Sequence, residues 1–241
     1  MLQNLLRHLV VPMAMAEHIH MNTEKVPMHM HTDLKFMTVM QWMSPAFPIG
    51  AFAYSHGLEW AIDKGHVSNG KKLQNWIADL LEYGSLRTDA IFISLILRGR
   101  DAKKMNELSI ALCPAGERLL ETKLQGSAFA KVIEDVWRQD IGDLSLPIAV
   151  ALAAKKQSIE QNLILPAYLH AVCSNLISAA IRLIPIGQTE GQRIMLELYT
   201  TISDLVQTAS ESEIDDLNSA CFFSDVSAME HEYLQPRIFK T

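Results

Sequence analysis

The sequence predicts an all-α protein, a single-domain helical bundle of roughly ten helices with a flexible N-terminal arm and a short C-terminal tail. Three observations carry this expectation. Apolar residues recur at helical spacing in one segment after another from Leu34 onward. No series of alternating runs joined by hairpin turns occurs. The breaks between segments fall at Pro, Gly and Asn-Gly, which start or stop helices. Hydrophobic residues make up 49% and charged residues 20% of the 241, the balance of a globular chain long enough to bury a sizeable core.

"LKFMTVMQWM", from Leu34, reads as a helix that stops at Ser44-Pro45, because a residue before proline is pushed out of the α region. Ser55 is placed to cap "HGLEWAIDKG", which closes at Gly65. Asn69-Gly70 marks a turn, and the helix after it puts Leu73, Trp76, Ile77, Leu80 and Leu81 on one face. Helices follow over 88–100, 103–112 and 115–138, the last carrying Leu119, Leu120, Leu124 and Phe129. Pro147 suits the first turn of another helix through Ala154. From Leu163 to Ile181 the chain has no formal charge, and this long apolar helix ends before Pro185 and Gly187. Pro166, His170, Ser174, Asn175 and Ser178 make it polar for a lipid-facing span, so it is read as a core helix, not a membrane one. Its small residues Ala167, Ala171, Ser174 and Ser178 suit either close packing inside the bundle or a seam between two copies. Residues 189–209 read as one amphipathic helix, and the polar tail beyond offers one short helical stretch.

The first residues differ. Nine of the twelve methionines fall by Met43, with His18, His20, His29 and His31 among them. No apolar period is sustained from Glu17 to Asp33, so residues 1–33 are expected to form a flexible arm and 34–241 the helical domain. The opening "MLQNLLRHLVVPMAMAEH" has a weak positive region and a proline within its apolar stretch, and is read as part of the arm, not as a cleaved leader. Further along the arm, "HIHM" and "HMHTD" offer imidazoles and thioethers that a soft or borderline metal accepts.

A net charge of −6 argues against a nucleic-acid surface. Cys113, Cys173 and Cys221 are odd in number and widely spaced, which fits a reducing cytoplasm and neither a disulfide framework nor a zinc site. The chain lacks a P-loop, a GxGxxG turn, a GxSxG elbow and an HExxH helix, so it is read as no enzyme. His56 and Glu59, three residues apart on one helix, are two ligands where a metal site needs more, and no metal site is assigned. The tail "RIFKT" joins Arg237 and Lys240 to Ile238 and Phe239, a pattern suited to docking on another protein or folding back on its own bundle.

One stretch is more specific than any of these. "SPAFPIGAFAYSHGLEWAID" is followed in order by "ETKLQGSAFAKVI", "SNLISAAIRLIPIGQTEGQRIM" and "AMEHEYLQPRIFKT". Together, over about residues 38–241, these blocks resemble the urease accessory protein UreF family. The resemblance implies a non-catalytic all-α homodimer that binds the UreD accessory protein (also called UreH). With UreD it would recruit the nickel-binding GTPase UreG, and the assembly would deliver nickel to apo-urease. No tightly bound cofactor is implied, nickel being at most transient. The partner-binding residues implied are Phe52, Tyr54, Ser55, His56 and Glu59, on a loop stiffened by Pro45, Pro48, Gly50 and Gly57. Arg182 and Gln188 are implied near the dimer or partner surface. Arg237, Ile238, Phe239 and Lys240 match the family's ending, which is expected to order on contact with UreD. His56 stands where the family pattern often has glutamine, and Tyr233-Leu234-Gln235-Pro236 replaces Thr-Gln-Tyr-Ser. An alternative reading makes the chain a nickel metallochaperone working through the His/Met arm.

Overall fold

A computed structural model describes residues 28–241. The chain divides into two compact units, Met1–Leu34 and Lys35–Thr241, and the core and site below belong to the second. Among the described residues there are eleven α-helices, two 3-10 turns and no strand. The helices are α1 (Met28–Trp42), α2 (Leu58–Asp63), α3 (Gly70–Tyr83), α4 (Ser85–Leu97), α5 (Ala102–Ala111) and α6 (Gly116–Trp137). They continue with α7 (Leu146–Lys156), α8 (Gln161–Ile181), α9 (Gln188–Glu197), α10 (Tyr199–Glu211) and α11 (Phe222–His231). The all-α expectation holds. Residues 1–27 of the expected arm, with His18 and His20, lie outside the described residues, and the first helix starts at Met28, not at Leu34.

Local chemistry explains most boundaries. Asn69 caps α3 by accepting from Lys72 N (3.0 Å), and Asp101 caps α5 by accepting from Lys104 N (2.8 Å). Pro147 sits in the first turn of α7. The face of α3 read from the sequence, Leu73, Trp76, Ile77, Leu80 and Leu81, is buried. From Ala90 to Leu97 α4 is almost wholly apolar, and such a stretch belongs in the interior: the helix lies among α3, α7, α8 and α10, with Leu86, Ile91, Ile93 and Leu95 fully buried. α7 packs against it and against α6, with Ala149, Ala151, Ala153 and Ala154 all buried. α8 has the length and composition of a membrane-crossing helix, yet buries Ile164, Leu165, Leu169, Cys173 and Leu176 against its neighbours, as a core helix does.

One helix differs from the sequence reading, and another has an unusual inner face. The helix expected over 189–209 turns at Leu198, whose amide is shared between Ile194 O (3.1 Å) and Met195 O (3.2 Å). The turn keeps Ile194, Leu198, Ile202 and Leu205 in the core on both segments. α6 carries two of its three leucines outward: Leu120 and Leu124 are exposed and Leu119 is partly buried, while Glu121, Gln125, Gly126, Phe129 and Ile133 face in. A polar inner face is stable only where distant partners satisfy it, and they converge on one end of the bundle.

Candidate partner-docking site

Between α1 and α2 the chain reverses within a few residues. Gly50 (φ 71°) is left-handed, Ala51–Ala53 forms a 3-10 turn, and His56 (φ 56°) and Gly57 (φ 77°) are left-handed in succession. Gly57 is required for its φ and also for space, because a Cβ would stand 2.6 Å from Ala228 N on α11. Asn175 of α8 holds the loop by donating to Ala51 O (2.9 Å) and Tyr54 O (3.3 Å). A polar side chain in an apolar helix needs such partners.

The tail lies down on this loop. Lys240 N donates to Ala53 O (2.8 Å), and Thr241 O accepts from Ser55 N (2.7 Å) and Ser55 Oγ (2.5 Å). Glu59, in the first turn of α2, accepts the amides of Ile238 (2.7 Å at Oε1) and Phe239 (2.9 Å at Oε2). Phe239 is buried, and the Arg182 guanidinium stacks over it, 4.4 Å from the ring centroid. Arg182 also donates to Phe52 O (3.1 Å) and Ser178 O (3.3 Å).

Glu117 and Glu121, one turn apart on α6, complete the cluster. His231, fully buried at the end of α11, bridges Glu117 Oε2 (2.7 Å) through Nδ1 and Glu59 Oε2 (3.0 Å) through Nε2. Arg237 pairs with the other Glu117 oxygen. Glu121 pairs with Arg118 and receives His56 Nε2 (2.7 Å), Gln125 Nε2 (3.0 Å) and Thr241 Oγ1 (2.8 Å). Burial pushes the Glu121 carboxyl up, but the Arg118 charge, with His56 and Thr241, outweighs it and holds the group at about 2. Burial and then the Arg118 charge push His56 down, against the pull of Glu121. The neutral ring donates Nε2–H to Glu121, and Nδ1 is buried without a hydrogen-bond partner among the described residues. Burial, then the Glu121 charge, raises the Tyr54 phenol.

These groups are engaged with one another. The arrangement clamps loop, α6, α11 and tail together, and among the described residues no group of three or more His, Cys, Asp or Glu side chains is placed to hold a metal. His56 and Glu59 turn to different partners. Of the residues singled out from the sequence, Tyr54, Ser55, His56, Glu59 and Phe239 are buried, whereas Phe52 and Ile238 project to solvent at 69% exposure each. Arg182, Arg237 and Lys240 are exposed members of the same cluster; Gln188, at the start of α9, is exposed and outside it. Sequence reasoning missed the parts played by Glu117, Arg118, His231 and Thr241. The spacing of Glu117 and Arg118 from Glu121 on one helix face was a signal; nothing local marks His231.

α11 is turned inside out. Ser224, Ser227, Ala228 and His231 face the body. Phe222, Val226 and Met229, at i, i+4 and i+7, face solvent, and Tyr233 at 82% exposure prolongs the row.

The fold and the site thus define an all-α protein whose buried polar cluster organises a solvent-facing apolar edge. The UreF family model matches residues 67–199. The urease accessory protein UreF of Cereibacter sphaeroides (strain ATCC 17029 / ATH 2.4.9) is 45% identical over 205 residues, covering 85% of this chain and 98% of the relative. That of Roseobacter denitrificans is 42% identical over 214 residues, with 88% and 96% covered. That of Rhodopseudomonas palustris (strain BisB5) is 36% identical over 234 residues, with 91% and 96% covered. The chain belongs to the UreF family.

Proposed function

We propose that this chain is a non-catalytic urease maturation factor that bridges the UreD (UreH) accessory protein and the nickel-binding GTPase UreG, supporting GTP-dependent delivery of nickel to apo-urease in the cytoplasm. Family membership supports the role in urease maturation. The observation that carries the bridging role is the outward row Phe222, Val226, Met229 and Tyr233. Amphipathic helices offer i, i+4, i+7 anchors to partners in this way, and exposed apolar rows mark interaction surfaces. Ile238 and Phe52 extend the same edge, so UreD is assigned to α11, the tail and the loop before α2. Tyr54, Ser55, His56, Glu59, Arg182, Arg237, Phe239 and Lys240 shape that surface from beneath and beside it. A second copy is assigned to α8 and α10, where Pro166, His170, Tyr199 and Ile202 line an open groove of about 360 Å³; UreG, with Gln188 among its candidate contacts, then meets the dimer.

The test is co-expression with the UreD and UreG proteins and gel filtration with light scattering. The variant Phe222→Asp/Val226→Asp/Met229→Asp is expected to lose UreD while keeping its own mass and fold, because Phe222 is largely exposed, Val226 and Met229 are about half exposed, and none of the three belongs to the core. Full co-elution of that variant with UreD would sink the assignment. Nickel titration of the chain with and without residues 1–33 tests the metallochaperone alternative: tight stoichiometric binding that vanishes on deletion would favour it.

A further inference from the structure

Resting on the docking role just proposed, we infer that Glu59 is the positioning residue that makes α11 and the tail a single surface. Its carboxylate is buried and has three partners from two separate segments. Oε1 takes the Ile238 amide, and Oε2 takes both the Phe239 amide and His231 Nε2. One side chain of α2 therefore holds the last residue of α11 and two successive amides of the tail in a fixed relation. The bonds made by residues 233–236 run back to the end of α11, from Tyr233 N to Glu230 O (3.1 Å) and Leu234 N to His231 O (3.0 Å). Those local turns do not set where Ile238 lies relative to Val226 and Met229.

The other contacts do less of this work. The Arg237–Glu117 pair is 41% exposed on its arginine side chain, and exposed pairs contribute little. Arg182 lies over the Phe239 ring from the solvent side and fixes no main-chain atom of the tail. Lys240 and Thr241 are bound beyond the point where the apolar edge ends. Hydrogen bonds to a buried carboxylate are roughly twice as strong as neutral ones. Glutamine at this position keeps the volume but turns one acceptor oxygen into a donor facing N–H groups, the mismatch that costs most when buried.

The experiment is amide hydrogen exchange on the full-length Glu59→Gln chain, read beside its retention of UreD in the co-elution assay. The amides of Ile238 and Phe239 are expected to exchange about tenfold faster or more, with α4 amides unchanged as the internal reference. Retention of UreD is expected to fall as far as on deletion of residues 237–241, and combining the two changes to add nothing, since both remove one interaction. Arg182→Ala is expected to leave those two amides protected to within about threefold. Unchanged exchange in Glu59→Gln, or equal loss in Arg182→Ala, overturns the assignment. Faster exchange with full UreD retention keeps the grip of Glu59 and overturns the docking role instead. If Glu59→Gln does not fold, Glu59→Asp gives the same readout, because its shorter carboxylate keeps the charge and falls short of both amides.

Discussion

Two carboxyls near Arg118 titrate in opposite directions. Glu121 is held at about 2, below its ordinary 4.5, so it contributes stability above pH 4.5 that is lost as pH falls from there toward 2. Asp89 accepts from Tyr168 OH (2.7 Å) and is raised by burial, against that bond and the Arg118 charge, from 3.8 to about 6. The unfolded chain gives up this proton first, so stability falls as pH rises through that interval. Asp89→Asn keeps an acceptor for Tyr168 and removes the charge. It is expected to stabilise the protein by on the order of 2 kcal/mol above about pH 7 and to leave it unchanged near pH 3, measured by urea unfolding at both. Glu121→Gln strands Arg118 and is expected to cost about 3–5 kcal/mol at neutral pH, with a smaller loss in acid. Parallel pH profiles for wild type and either variant would show that these carboxyls do not control the slope.

At the scale of the helix, legibility followed the range of the interactions. The buried face of α3 was readable because Leu73, Trp76, Ile77, Leu80 and Leu81 repeat at the helical period, and Asn69 announces its start. The inner face of α6 is not legible locally, because Leu120 and Leu124 look like a core face until His56, Thr241 and Arg118 are seen to claim Glu121. The sequence of the tail suits docking elsewhere and folding back equally. Its bonds to Glu59 join residues 179 and 180 positions apart, and no local pattern encodes such a pairing. The loop before α2 showed its glycines but not their purpose. Gly57 sits at φ 77° with α11 against it, so Gly57→Ala is expected to cost more than about 1 kcal/mol through strain alone. Its Cβ also displaces α11, so the variant should lose protection at Ser227 and Ala228 in hydrogen exchange while α4 stays protected. Uniform destabilisation would mean that the contact at Ala228 is not where the strain falls.

Across the whole molecule, the same physics separates a tight body from a lightly held edge. Burying a Leu, Ile or Phe contributes about 1.5–3 kcal/mol, and α4 buries Leu86, Ile91, Phe92, Ile93, Leu95 and Ile96 together. α11 fully buries Ala228 as its sole hydrophobic residue, with serine and histidine side chains beside it; Phe223, about half exposed, packs on Trp60, His66 and Trp76, and the tail adds Phe239. Beyond these few apolar contacts, α11 and the tail are held by hydrogen bonds worth about 1 kcal/mol each, those to charged groups somewhat more. Residues 213–220, which join α10 to α11, are exposed apart from Leu217, which is partly buried. The edge should therefore open as a unit before the body does. Native-state hydrogen exchange in sub-denaturing urea is expected to show amides of α11 and of residues 237–241 sharing one opening free energy, several kcal/mol below that of α4, with little dependence on urea. A partner that covers the apolar row would raise the first value and leave the second, which links the stability of the edge to its occupancy. If α11 instead exchanges only through global unfolding, the polar clamp is as strong as the core, and the outward row is carried by the body itself.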